Sequence, residues 1–318
     1  METLSEHQKF DRPKAFKIFG AVLAALFLLA LVYWLVFGRN SESTDDAYVA
    51  GSQVQIVAQI EGAISSVNVS ETQAVKEGQV LFKIDPTEAK IASEKADIDL
   101  LSAYADYERR SSLQGDAAVS NEELEHANLS FRKARENARQ SYINLLRAEV
   151  QGPTNAILAK RYAQVGQRVA PGTVLGLLVA KDEIWVDANF KEDQLRNIRL
   201  GQPVKLESDI YGGKVSYHGK VVGFAPGTGS TLALLPAQNA TGNWVKVVQR
   251  LPVRIVLDDA QLKDFPLRIG LSMSAKVDTS NHEGLPLQAM SDSAPLDTNI
   301  YRKQYELAEG HINLLLHK

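Results

Sequence analysis

Cysteine is absent from all 318 residues, which excludes disulfide frameworks, thiolate metal sites, iron–sulfur clusters and cysteine nucleophiles. The absence fits an oxidising compartment, where stray thiols are a liability. Aromatic residues make up only 7% of the chain, low for a stacking or sugar-binding surface. Neither sign of charge dominates: 35 basic residues stand against 38 acidic ones, a formal net charge of −3, whereas a nucleic-acid binder carries a basic excess. The histidines (His7, His126, His218, His282, His311 and His317) are scattered, without HxH or HExxH spacing. No GxSxG nucleophile elbow occurs.

The remaining polar clusters read as surface. Glu122 and His126 share a helix face, but no third ligand accompanies them. GFAPGTGS (Gly223–Ser230) is glycine-rich yet lacks the GK[ST] ending of a phosphate loop, and reads as a hairpin loop. Asp45-Asp46 and Asp258-Asp259 are adjacent acids expected to be solvated, not opposed catalytic carboxylates. We therefore expect no catalytic, cofactor or metal site, and no enzyme.

One long apolar run is present. Residues 18–38 read IFGAVLAALFLLALVYWLVFG, without a charge; as a helix they extend about 31 Å, enough to cross a bilayer core. Tyr33 and Trp34 stand near its end, where amphipathic rings favour the headgroup level. Lys9, Arg12, Lys14 and Lys17 precede the run, and from Arg39 to Val75 the only basic residue is Arg39, among Glu42, Asp45, Asp46, Glu61 and Glu71. The positive-inside rule then predicts a cytoplasmic N-terminus with nearly all the rest outside. The run is longer than a signal-peptide core and no small-x-small cleavage site follows it, so an uncleaved single-pass anchor is expected. One span cannot form a transport path by itself.

Beyond the anchor the chain contains a repeat. GAISSVNV (Gly62–Val69) and QVLFKI (Gln79–Ile84) alternate apolar and polar residues around the turn VKEG. About 93 residues later Ala156-Ile157 matches Ala63-Ile64, VAPG (169–172) matches VKEG (75–78), and Val174-Leu175 matches Val80-Leu81. Gly78 and Gly172 stand where a tight turn needs positive φ. Two equivalent halves predict a small flattened barrel resembling biotinyl and lipoyl domains. Carrier domains of that kind present a lysine between their halves; here Asp85-Pro86 occupies the place and a helical insertion follows.

The insertion, 87–149, predicts an antiparallel helical hairpin with arms of roughly 27 residues, about 40 Å long. Its second arm has a coiled-coil seam at Leu124, Ala127, Phe131, Ala134, Ala138, Ser141, Leu145 and Ala148, spaced alternately 3 and 4. The first arm is less regular, with Ile91, Ile98, Leu101 and Ala105 as its seam. Ser120 precedes Glu123 at capping-box spacing. From about Ile184, WVDANF, PVKLES, KVSYHGKVVGF, WVKVVQRLPVRIVL and SMSAKV read as short strands of a second barrel, KEDQLRNI as a helical turn or two, and LLPAQNATGN (Leu234–Asn243) as a long polar loop. The expected fold is thus mainly β with an α-helical hairpin: a cytoplasmic tail (1–17), a transmembrane anchor (18–38), a linker (39–47), a lipoyl-like domain (48–86 and 150–180) interrupted by the hairpin, and a small antiparallel β-barrel (181–280). A C-terminal tail (281–318) follows, expected to be partly disordered with a short helix from Lys303 to Leu316.

In this order the parts resemble the HlyD-type membrane fusion proteins, periplasmic adaptors of tripartite exporters, and within them the EmrA type of multidrug-efflux adaptor. TDDAYVAG (44–51), VKEGQVLFKIDPT (75–87), IWVDANFKEDQL (184–195) and GTGSTLALLPAQNATGNWVKVVQRLPVRI (227–255) carry the likeness, which extends from the anchor to about Gly284. The resemblance implies a non-enzymatic adaptor in the inner membrane of a Gram-negative bacterium, its bulk periplasmic. It implies self-association into a ring, usually six subunits or a trimer of dimers. Its partners would be a major-facilitator, EmrB-like drug/proton pump and a TolC-type outer-membrane channel. The family's hairpin-tip motif RxxxLxxxxxxS is matched by Arg109, Leu113 and Ser120. An apolar knob between a cation and a hydroxyl suits tip-to-tip packing of coiled-coil ends.

Two departures stand out. Hairpins of EmrA type are usually far longer. The APxxG turn common at the start of the second half-barrel stands here as GPTNA (152–156), so Asn155 or Ala156 is expected to take the glycine's positive φ. Three other readings remain open: an acyl or biotin carrier subunit, which the missing lysine opposes; a periplasmic subunit that captures substrate for the pump; and an adaptor of an aromatic-acid exporter.

Overall fold

Alternating apolar and polar residues build the β-structure of the chain. A computed structural model describes residues 12–33, 40–113, 119–232, 248–289 and 297–317. The first helix, α1 (Arg12–Tyr33), covers most of the apolar run. The expected anchor continues through residues 34–38, outside the described residues, and described side chains in α1 are confined to Lys17 and residues 19–29. Among the described residues no helix is long and apolar enough to cross a membrane. The rest forms two units, residues 51–184 with 294–318 and the remainder.

One unit is a barrel. β1 (Ser41–Val57) and β8 (Val174–Lys191) each enter it, joined by β9 (Pro203–Ser208), β10 (Ser216–Phe224), β11 (Arg250–Leu257) and β12 (Ser272–Asp278). The order β1-β12-β9-β10-β11-β8, with β1 also paired to β8, closes the sheet on itself. Val186, Ala188, Phe190, Leu206, Tyr217, Ile255 and Ala275 are buried at alternate positions of their strands. KEDQLRNI gives a single 3₁₀ turn, Gln194–Arg196. GFAPGTGS leads from β10 into one helical turn, α4 (Gly229–Leu232); a second such turn, α5 (Asp259–Leu262), follows β11. The polar loop Leu234–Asn243 lies outside the described residues.

Residues 41–47, expected as linker, are a correction: they are the first half of β1. Its register against β12 shifts between Thr44 and Ala47, an irregularity that breaks the simple alternation a strand is recognised by. Asp46 is not merely solvated either. Its carboxylate accepts from Arg250 at 2.9 Å and from Asn189 at 3.1 Å.

Tyr217 gives the barrel a measurable pH signature. Its ring is fully buried, its hydroxyl donates to the Phe265 carbonyl at 2.9 Å, and burial pushes its pKa up to about 12. The folded state therefore holds the proton more tightly than the unfolded state. Stability is fully present below pH 10 and declines as pH rises toward 12, by about 3 kcal/mol for two pKa units. Urea titrations across that range should show the decline in the wild type and a much flatter profile in Tyr217→Phe.

The other unit contains the repeat. β2 (Gly62–Val67), β3 (Ala74–Val75) and β4 (Val80–Ile84) recur as β6 (Ala156–Arg161), β7 (Arg168–Val169) and the start of β8. The pairing is reciprocal: β2 bonds β7 and β3 bonds β6, both antiparallel. β5 (Glu149–Gln151) adds to the edge of β4. Ile64, Leu81, Phe82, Ile84, Leu158, Leu175 and Leu178 form the shared core. Gly78 and Gly172 take φ of 78° and 89°, as the matching turns require.

The GPTNA turn departs from expectation. Neither Asn155 nor Ala156 has positive φ. Ala156 is instead buried in β6, and Asn155 works through its amide: its Oδ1 accepts from the Glu77 N–H at 3.3 Å and its carbonyl from the Lys181 N–H at 3.0 Å. Side-chain bonding replaces the special backbone.

At Asp85-Pro86 the helical hairpin begins. The Asp85 carboxylate accepts from the Thr87 amide and hydroxyl, which holds its pKa below the ordinary carboxylate value. α2 (Thr87–Ser112) and α3 (Asn121–Leu146) pack along their length. The α3 seam lies as expected, with Ala127 and Ala138 buried. The α2 seam does not: Ser93, Ala96 and Leu100 face inward, while Ile91 and Ile98 are 61% and 67% exposed. Ser93 and Ala96 let the helices approach closely, and Leu100 fills the core beside them.

The C-terminal segment carries one helix among its described residues. α6 (Ile300–Leu316) starts three residues before the expected helix and docks on the hairpin. Ile312 and Leu316 pack against Ala96, Leu100, Phe131, Ala134 and Ala138. Glu309 is clamped by Arg135 at 2.9 Å and by Arg139. His311 stacks on Tyr142, with ring centroids 4.0 Å apart, and its Nε2 lies 2.8 Å from Asp97.

Candidate functional site

The outer end of the hairpin is held by rings. Phe131 of α3 packs against Tyr104 at 5.3 Å and stacks on Tyr107 at 5.7 Å, a contact beyond plain area burial. Tyr104 and Tyr107 are one turn apart, so one α3 ring pins a full turn of α2 below the tip. Sequence reasoning missed this trio; the signal was an i, i+3 tyrosine pair facing the one aromatic residue of the α3 seam.

Arg109 and Arg110 follow in the last turn of α2, and Asp106 gathers both. Its Oδ1 accepts from Arg109 at 2.6 Å and its Oδ2 from Arg110 at 3.0 Å. These two hydrogen bonds hold the Asp106 carboxyl below the ordinary value, so the pair stays ionised into mildly acidic conditions. The Arg109 side chain remains largely exposed and is presented to solvent along the helix flank. Leu113 caps α2 in helical conformation and is 40% exposed. It is a partly exposed apolar knob at the end of a helix.

Residues 114–118 lie outside the described residues, and the chain re-enters at Ser120. A reciprocal capping box opens α3: the Ser120 hydroxyl accepts from the Glu123 amide at 3.2 Å, and the Glu123 carboxylate accepts from the Ser120 amide at 3.0 Å. The bond from the Ser120 amide, with that from its hydroxyl, lowers the Glu123 pKa. The structure thus places Arg109 and Leu113 at the end of α2 and Ser120 at the start of α3. Ser120 has a structural task there, and the two roles are separable. Ser120→Ala should cost about 1 kcal/mol as a lost cap, whereas Ser120→Asn, whose amide can accept from the Glu123 N–H and donate to its carboxylate, should retain most of the cap and the melting temperature. If Ser120→Asn keeps full function in cells, the cap is the only role of this side chain.

Glu122 and His126 stand 3.8 Å apart on an exposed helix face, and among the described residues no group of three His, Asp or Glu side chains can hold a metal ion.

The model of the family described as RND MFP, barrel-sandwich hybrid domain, matches residues 52–181, the half-barrel unit with its inserted hairpin. The multidrug export protein EmrA of Escherichia coli (strain K12) is 38% identical over 345 residues, 90% of this chain and 88% of that protein. The probable multidrug resistance protein EmrK of the same strain is 36% identical over 344 residues, 89% of each. Ninety per cent of 318 residues is about 286, so about 60 aligned residues of EmrA have no counterpart within the matched part of this chain. Among solved structures, a MacA–MexA chimera carrying the α-hairpin domain of Pseudomonas aeruginosa MexA superposes with a TM-score of 0.62 at 20% identity, covering 82% of this chain and 92% of that one. That likeness concerns the fold.

Proposed function

The chain belongs to the EmrA-type membrane fusion proteins and is a non-enzymatic, EmrA-like adaptor of a multidrug efflux system; on that premise we propose that it links an inner-membrane major-facilitator pump to a TolC-type outer-membrane channel. Residues 18–38 anchor it as a single uncleaved span, N-terminus cytoplasmic, with the two units in the periplasm of a Gram-negative bacterium. Copies assemble into a ring of six. The hairpin tip, with Arg109, Leu113 and Ser120, meets the end of the channel.

The observation that carries this reading is the 38% identity with EmrA across nine-tenths of the chain. The tip geometry supports it: a braced cation and a partly exposed leucine stand at the end of α2, and a capped serine opens α3. On this reading the absent 60 residues are hairpin residues. Each arm here is 26 residues, about 39 Å, so the channel or the pump must cover more of the gap than in longer relatives.

The test is restoration of resistance in a strain that lacks its own adaptor. Expression with the partner pump should protect cells against hydrophobic toxic compounds, and the pump should co-purify with the tagged chain from detergent. Protection confined to aromatic acids would instead place the chain with aromatic-acid exporters. No protection and no co-purified pump would refute the adaptor reading.

A further inference from the structure

The α2 face that turned out to be exposed needs an account of its own. Ile91 and Ile98 are one heptad apart, on the side of the helix nearly opposite Ser93, Ala96 and Leu100, which meet the rest of the bundle. Neither α3 nor α6 covers them, and paired isoleucines at heptad spacing are the knobs of a helix–helix seam. Glu94 and Lys95 stand between them on the same turn. Lys90 reaches Glu94 only at 3.9 Å, on the open surface.

A second unfilled surface lies on the same unit. Along one flank of α6, Leu307, Gly310 and Leu314 border a groove of about 500 Å³ with Tyr142 of α3 as its far wall. Leu307 and Leu314 are again one heptad apart, 58% and 69% exposed. Nothing lies within 4 Å of where a Gly310 side chain would begin, so the groove has an open hole between its two leucines. Lys303 and Glu306 form its rim.

We infer that these two surfaces meet between copies of the chain: the Ile91–Ile98 stripe of one protomer seats in the α3–α6 groove of the next. The repeat along both surfaces is seven residues, about 10.5 Å, so two knobs face two ridges with the Gly310 hole between them. Charges of both signs flank each surface, Lys90, Glu94 and Lys95 on one and Lys303 and Glu306 on the other, so rim charges of opposite sign are available on both sides. The contact is heterologous, using different patches on the two partners, and such contacts close into rings when the rotation permits. α6 thereby has a purpose beyond bracing the hairpin: it forms half of the seam. The inference rests on the adaptor reading only in taking self-association as given.

A chain without cysteine makes the test direct. Ile98→Cys and Gly310→Cys are introduced together in the full-length membrane protein, oxidised in membranes, and resolved without reductant. A ladder of covalent multimers is expected from the double variant, dimers alone from a mixture of the two single variants, and monomer from either single variant by itself. Strong dimers from Ile98→Cys alone would mean a symmetric contact and overturn the proposal. A double variant that stays monomeric, while an amine-reactive crosslinker still captures multimers, would overturn it as well. So would adducts formed only with another protein. Resistance measured in the same cells separates the two readings: resistant cells without the ladder refute the seam alone, and cells never protected by the wild type refute the adaptor.

Discussion

Leu113→Asp will abolish drug resistance while the protein folds, inserts and associates with its pump at wild-type levels. Leu113 ends α2 and is 40% exposed, so a carboxylate there costs the free protein little; surface changes of this kind usually stay within about 0.5 kcal/mol. In a docked tip the same carboxylate sits among apolar atoms without a partner. Burying an unpaired charge costs several kcal/mol, enough to lower affinity by about a thousandfold or more. Charge reversal at Arg109 should act in the same direction and more locally: it removes the exposed cation and sets a second acid beside Asp106. Susceptibility assays with membrane-fraction blots and circular dichroism check both. Wild-type resistance in both variants would remove the tip from the mechanism.

Glu309→Arg will release α6 from the hairpin. Arg135 and Arg139 both converge on the Glu309 carboxylate, which is largely shielded from water, and Arg139 also lies over the Tyr305 ring at 5.1 Å. Reversal places a third guanidinium against two. The lost pair and the new repulsion together amount to about 3 kcal/mol, the lower end for a shielded pair. Amide exchange along 300–316 should then accelerate about a hundredfold, with the half-barrel core unchanged. Faster exchange in Leu81 and Phe82 as well would mean that α6 supports the whole unit, not the hairpin alone. Protection of α6 equal to wild type would show that Ile312 and Leu316, not the ion pairs, hold the helix.

How much of this was legible depended on whether a pattern was local. The half-barrel repeat could be read because the same turn glycines, Gly78 and Gly172, need the same positive φ in both halves. The α3 seam could be read because its 3-and-4 spacing is carried by residues that are apolar or small throughout. The α2 seam was misread because apolar side chains at heptad spacing are ambiguous when small residues offer closer packing. Ser93, Ala96 and Leu100 face inward, and Ile91 and Ile98 outward. The first half of β1 was hidden by Asp45-Asp46, whose register shift and Arg250 pairing are long-range features. α6 was anticipated only as a helix, because its partners Asp97, Arg135, Arg139 and Tyr142 are more than 150 residues distant in sequence. The tip residues could be named from a motif, but the aromatic brace beneath them depends on which turn of α2 faces Phe131, and that follows from the packing.

The most direct measurement of the central claim is crosslinking in intact cells from a photoreactive group at position 113, with adducts identified by mass spectrometry. The adaptor account predicts an adduct containing a TolC-type outer-membrane channel, formed despite a hairpin of only 26 residues per arm. Adducts containing only other copies of the chain, or only the inner-membrane pump, would contradict it: the tip would then serve assembly at the inner membrane, and the bridge to the outer membrane would lie elsewhere.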